Sequence, residues 1–220
     1  MNWRRLIVFN RIPIAIGIII LGIIFTFTIK HAAWWTWILF VTAILMVVAH
    51  YMIGPMSLIQ KHMEDGDVEG AQALLNSIKK PDWLYKPIRS GYYMMQSQLG
   101  SLDENQDLDK AEADIRKGLA ASQGQKDVEG GAYMQLGTIA MRKGNKKEAF
   151  QYFKKSLELG LPNADTEAGV YLQLANMSAE KRDFRSTKHY FNKAVAAKPT
   201  DKTVKDQIAE YKKYVSRMPG

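Results

Sequence analysis

The residues most able to do chemistry in this chain are its carboxylates and histidines, and their spacing argues against most of that chemistry. The stretch Glu64-Asp65-Gly66-Asp67-Val68-Glu69-Gly70 offers clustered oxygens of the kind that cage calcium. A calcium loop of about 12 residues started at Asp65 places Glu69 and Gly70 suitably, but its last position is Asn76, where a bidentate glutamate is needed. A helix–turn–helix accounts better for the two glycines. Only four histidines are present, none in a nucleophile–base arrangement, and neither a P-loop nor a GxGxxG motif occurs. With no cysteine, disulfide frameworks, zinc knuckles, iron–sulfur clusters and thiol catalysis are excluded. The sequence predicts no enzyme, no cofactor and no metal site.

Charge divides the 220 residues into two unlike parts. Residues 1–63 hold no acid and five bases: Arg4, Arg5, Arg11, Lys30 and Lys61. Residues 64–220 hold all 22 acids and 25 bases, so the net +8 splits as +5 and +3. The nearly balanced second part lacks the dense basic block that nucleic acid would require. Its bases Arg116, Lys117, Lys146, Lys147, Lys154, Lys155, Lys181 and Arg182 alternate with acids, as on a solvated outer face. Binding to nucleic acid is therefore not expected.

The first part reads as a membrane hairpin. Ile12 to Ile29 is 18 residues without a charge, nine of them isoleucine; Ala32 to Ile53 is 22 more, interrupted only by His50. Roughly 20 helical residues cross a hydrocarbon core of about 30 Å, so spans are predicted at about 12–29 and 34–53. The short link through Lys30 and His31 requires them to run antiparallel. A cleaved signal peptide would have a shorter apolar run and a small-residue cleavage site, which this segment lacks. Arg4, Arg5 and Arg11 outweigh Lys30 on the other side, placing both termini in the cytoplasm by the retention of basic flanks. Trp34, Trp35 and Trp37 suit an outer aromatic belt, His50 and Tyr51 the inner interface, and Gly54-Pro55 the exit. His50 has no acidic partner in either span, as a proton relay would need, and is expected to reach the headgroups. Gly17 and Gly22, five apart, make no GxxxG face.

The second part repeats itself. Gly130 to Pro162 contains Tyr133, Leu136-Gly137, Gly144-Asn145, Glu148-Ala149, Tyr152-Phe153 and Leu157. Residues 168–199 follow with Tyr171, Leu174-Ala175, Asp183-Phe184, Tyr190-Phe191, Ala194-Val195 and Pro199. The first segment resembles a tetratricopeptide repeat, a helix–turn–helix of about 34 residues, and the second resembles the next copy. Tyr133 onto Tyr171 gives a period of 38, the excess falling in the linker 160–165. Two weaker copies precede them: one at 56–81, and one at 83–122 carrying Tyr92, Tyr93, Leu99, Ala111, Ile115 and Leu119 around the turn 103–107. The small position of each second helix recurs at Ala71, Ala111, Ala149 and Thr187, at intervals of 40, 38 and 38. Within 146–159, Ala149, Phe150, Phe153 and Leu157 share a face, and Gly144 supplies a tight turn. Residues 201–217 place Val204, Ile208, Tyr211 and Val215 on one face, as a terminal cap should. The tail 218–220 is expected to fray.

The expected fold is all-α: a transmembrane hairpin over 1–55, then a solenoid over 56–220 with units at about 56–81, 83–122, 130–163 and 168–199. The resemblance implies a groove lined by the first helix of each unit, which receives a peptide or partner helix. Carried over by position, its residues are Met134, Gln135, Thr138, Met141 and Arg142, then Leu172, Gln173, Asn176 and Glu180. Methionine repacks around varied apolar groups, and Gln and Asn can bond a peptide backbone. Gly131 and Gly169 stand where the family's carboxylate-clamping members carry basic residues, which disfavours that activity. The expectation is a membrane-anchored scaffold that binds proteins at a bacterial-type inner membrane. The alternative is a structural subunit of a secretion or motility complex, held mainly through its spans.

Overall fold

The computed structural model describes residues 10–28, 33–100, 107–122 and 124–219. Arg4, Arg5, the Lys30–His31 link, the side chains of Trp34 and Trp35, and turn residues 103–106 of the expected second unit lie outside the described set, as does Gly220. Among the described residues every regular element is helical. The chain divides into two compact units, 1–99 and 100–220, so the division falls inside the segment expected as the second repeat.

The first unit begins with α1 (Arg11–Thr28) and α2 (Ala33–Ile53), which pack as an antiparallel pair. Small residues make the close approach possible: Ala15, Gly22 and Ala43 are buried, and a Cβ on Gly22 would sit 3.3 Å from the Phe40 ring. Nη1 of Arg11 donates to the Ala49 carbonyl at 3.1 Å, joining the start of α1 to the end of α2. Ile16, Ile20, Ile24, Phe27, Ile38, Val41, Ile44 and Leu45 are exposed around the pair.

Behind this pair, α3 (Met56–Glu64), α4 (Val68–Asn76) and α5 (Lys86–Gly100) share one core. Ile59, Leu75, Leu84, Tyr92 and Tyr93 are buried in it. The acidic stretch that resembled a calcium loop is the α3–α4 turn. Asp67 caps α4 by accepting from Gly70 N at 2.8 Å, and its other oxygen lies 2.7 Å from His62 Nδ1. Among the described residues no cluster of three or more metal-ligating side chains occurs.

The second unit comprises α6 (Leu108–Ser122), α7 (Lys126–Arg142), α8 (Lys146–Leu159), α9 (Ala164–Glu180), α10 (Phe184–Ala196) and α11 (Lys202–Val215). Helices α7 and α8 pack closely, as do α9 and α10, while α8 also meets α9. One core joins Ala140, Ala149, Phe153, Val170, Leu174 and Met177; another joins Ala168, Leu172, Phe191 and Ala194 to Val204, Ile208, Tyr211 and Val215. The 201–217 segment thus caps the last pair with the predicted face.

A common local design underlies α4, α6, α8 and α10. Each starts at Asp67, Asp107, Asn145 or Asp183, whose carbonyl accepts at 3.0 Å from the amide of Ala71, Ala111, Ala149 or Thr187 respectively. Those four small residues are all buried, where a helix partner approaches closely. The preceding turn needs a left-handed residue: Gly66 has φ 74°, Gly144 has φ 81°, and Arg182 takes the same place with φ 57°.

Surface charge pairs across elements. Lys143 Nζ reaches Asp109 at 2.5 Å and Glu112 at 2.7 Å, holding the end of α7 to α6. Arg116 bonds Glu112 and, at 2.9 Å, the Tyr152 hydroxyl, which donates to Glu148 at 2.8 Å. These hydrogen bonds to Lys143 first, and to Arg116 next, hold the Glu112 carboxyl below its ordinary range.

Candidate functional site

The first helices α7 and α9, with the cap α11, line a cavity of about 570 Å³ in the second unit. That size lies within the span typical of ligand sites, roughly 300–1,000 Å³. α7 supplies Met134 and Thr138; α8 supplies Phe153; α9 supplies Thr166, Gly169, Val170, Leu172, Gln173 and Asn176; α11 supplies Gln207, Glu210, Tyr211 and Tyr214. Residues four apart on one helix stack on one face, so Met134 and Thr138 point together, as do Gly169 and Gln173.

Five of the nine residues expected in the groove line this cavity: Met134, Thr138, Leu172, Gln173 and Asn176. The other four lie elsewhere. Met141 packs against the core shared by α7, α8 and α9. Glu180 is paired with Lys146 at 2.6 Å. Arg142 is exposed. Gln135 is half-buried, and its Oε1 has no partner among the described residues.

The α11 contribution goes beyond the capping role that the helix's periodicity predicts. Its apolar face does cap, while Gln207, Glu210 and Tyr214, on the flank of that face, reach the cavity. Tyr211 serves both surfaces. Its ring lies 5.8 Å from Phe191, yet its hydroxyl is buried with no hydrogen-bond partner among the described residues. Burial first, and neighbouring Tyr214 second, push its pKa up to about 12.

Gly169 opens the middle of the groove. A Cβ built there meets no atom within 4 Å, and the same is true at Gly131. Gly137 behaves oppositely, since a Cβ there would lie 2.7 Å from the Phe153 ring. One glycine is demanded by helix packing, the other leaves half-buried backbone beside open space.

A clamp steadies the groove wall. Asp165, in the first turn of α9, accepts from Thr200 N at 2.5 Å, Thr200 Oγ1 at 3.0 Å and Asp201 N at 2.8 Å. The Asp201 amide foremost, with the Thr200 groups, holds its carboxyl below the usual carboxylate range. Asp201 in turn caps α11 through Val204 N at 3.0 Å. The chain entering α11 is thereby tied to the start of α9.

Stacked helix pairs with a groove along their first helices define a helical-repeat protein of the kind that mediates protein–protein contact. Residues 130–159, covering most of α7 and all of α8, match the tetratricopeptide repeat family model. This match and the two apolar N-terminal helices fit a tetratricopeptide repeat protein with an N-terminal anchor. Comparison with curated proteins finds no match. Tetratricopeptide repeats are typically non-catalytic and generally act in protein–protein interaction.

Proposed function

We propose that the chain is a membrane-anchored adaptor whose α7–α9–α11 groove binds an extended or helical segment of a protein partner. The groove geometry is the observation that carries this reading. It combines an apolar floor (Met134, Val170, Leu172) with amide and hydroxyl groups (Thr138, Gln173, Asn176). Such a surface packs side chains while bonding a peptide backbone.

The apolar pair supports the anchor. Windows in α1 and α2 have mean hydropathies of 2.2 and 2.1, and only 11% of each is buried. A core helix of a water-soluble protein would hide its apolar side chains, so this exposure favours lipid. The anchor is assigned to 1–55 and the repeat domain to 56–220. Arg11, with Arg4 and Arg5, favours both termini and the repeats on the cytoplasmic side, at a bacterial-type inner membrane. Confinement to the membrane plane raises effective concentration, so modest groove affinity suffices. No nucleic-acid partner, cofactor or metal enters the reading.

A second reading draws on the same exposed faces of α1 and α2: a structural subunit of an envelope complex held through its spans. Photo-crosslinkers at Met134, Gln173 and Asn176, compared with ones at Ile44 and Ile20, separate the two. Groove adducts to soluble proteins support the adaptor. Adducts from the spans alone, to one membrane partner, contradict it.

A further inference from the structure

A second cavity, of about 450 Å³, lies in the first unit where α2 ends. Its walls are His50, Tyr51, Gly54 and Pro55 on one side, and the α4–α5 connection, with Ile78, Lys79, Lys80, Trp83 and Leu84, on the other. The two sides are fixed to each other. Tyr85 N donates to the Met52 carbonyl at 2.9 Å, and Gly54, at φ 58°, turns close against Leu84. Lysines 79 and 80 supply charge, and none of the lining residues is acidic. Asp82, the nearest carboxylate along the chain, accepts from the Tyr93 hydroxyl at 2.9 Å. Lys80 Nζ stands 4.3 Å over the Trp83 ring, whose other neighbour is Tyr51 at 5.7 Å.

Trp83 and Tyr85 are 58% and 56% exposed, an unusual degree for such large rings. They adjoin Tyr51, Met52 and Ile53, which are also exposed at the end of the apolar helix. Trp and Tyr favour the headgroup level of a bilayer, and Lys there attracts anionic lipid. We propose that this cavity holds the phosphodiester of an anionic membrane phospholipid, with Lys79 and Lys80 on the phosphate and the acyl chains running along exposed α2. The occupant is lipid rather than free phosphate because the cavity is continuous with the apolar helix that the chains would follow. This proposal rests on the anchor reading given above.

The test uses the full chain in mild detergent, with native mass spectrometry counting retained phosphatidylglycerol against phosphatidylcholine. Phosphatidylglycerol should be retained preferentially. The double variant Lys79→Gln with Lys80→Gln should weaken that retention by roughly tenfold or more, while Lys79→Arg with Lys80→Arg keeps it. Unchanged retention in the glutamine variant overturns the site, and so does inorganic phosphate displacing phosphatidylglycerol at matched concentration. Flotation of the same chain with pure phosphatidylcholine vesicles tests the anchor separately. A chain that floats but shows no lysine-dependent retention keeps the anchor and loses the site; one that does not float loses both.

Discussion

Gly137 on α7 faces Phe153 on α8 so closely that a Cβ would lie 2.7 Å from the ring, and Phe153 is only 2% exposed. To admit that Cβ, the Phe153 ring must shift from its place in the core it shares with Ala140, Ala149 and Leu174. Overpacking costs about 1–3 kcal/mol, against a gain of at most about 1 kcal/mol from replacing a helical glycine. Gly137→Ala should therefore lower stability. Gly169→Ala, with open space at its Cβ, should raise it by roughly 0.5–1 kcal/mol. Thermal unfolding of both variants checks the opposite signs.

Arg182 occupies the turn position held by glycine in two other pairs, at φ 57°. A left-handed L-residue costs roughly 1–2 kcal/mol, part of which glycine returns as unfolded-state entropy. Arg182→Gly should stabilise by about 0.5–1 kcal/mol, read as a higher midpoint in urea.

The Asp165 clamp has a pH signature. Its carboxyl is held below its ordinary value of 3.8, as is that of Glu112 below 4.5. A group whose folded pKa is depressed contributes stability that is complete above its unfolded value and lost as pH falls through the folded one. Stability should hold from neutrality to near pH 5 and fall below about pH 4.5. Asp165→Asn should flatten part of that fall, measured by denaturant titration at several pH values.

Tyr211→Phe should separate stability from binding. Removing a buried, unpartnered hydroxyl should leave the free protein as stable as before or more stable by up to about 1 kcal/mol. Capture of a partner segment should be unchanged, because the hydroxyl is closed off from the groove. Paired thermal unfolding and crosslinking yields read the two effects.

Much of this fold is legible in the sequence because its causes are local. A charge-free run and a basic flank mark α1 and α2 without reference to anything distant. The small residues Ala71, Ala111, Ala149 and Thr187 carry the repeat register, because closely packed helices admit nothing larger there. Asp67, Asp107 and Asp183 carry the same register four residues earlier through side-chain caps, and Asn145 holds the equivalent position. The clamp from Asp165 to Thr200 and Asp201 spans 35 and 36 residues and has no local spacing to betray it. The same holds for Lys143 with Asp109 and Glu112. In the groove, family positions find Met134, Gln173 and Asn176, but an amphipathic pattern shows only the capping face of α11. Its flank, with Gln207, Glu210 and Tyr214, needs the packed structure.

The most direct test of the adaptor reading fills the groove without disturbing its walls. Gly169→Leu places a side chain into space that holds no atom within 4 Å of a Cβ. In the full chain in native membranes, a photo-crosslinker at Gln173 should give discrete protein adducts that fall at least roughly tenfold in Gly169→Leu, a loss of about 1.4 kcal/mol in binding, while helicity is kept and the unfolding midpoint does not fall. Adducts of equal yield with the groove filled, or adducts only from crosslinkers at Ile20 and Ile44, would contradict it.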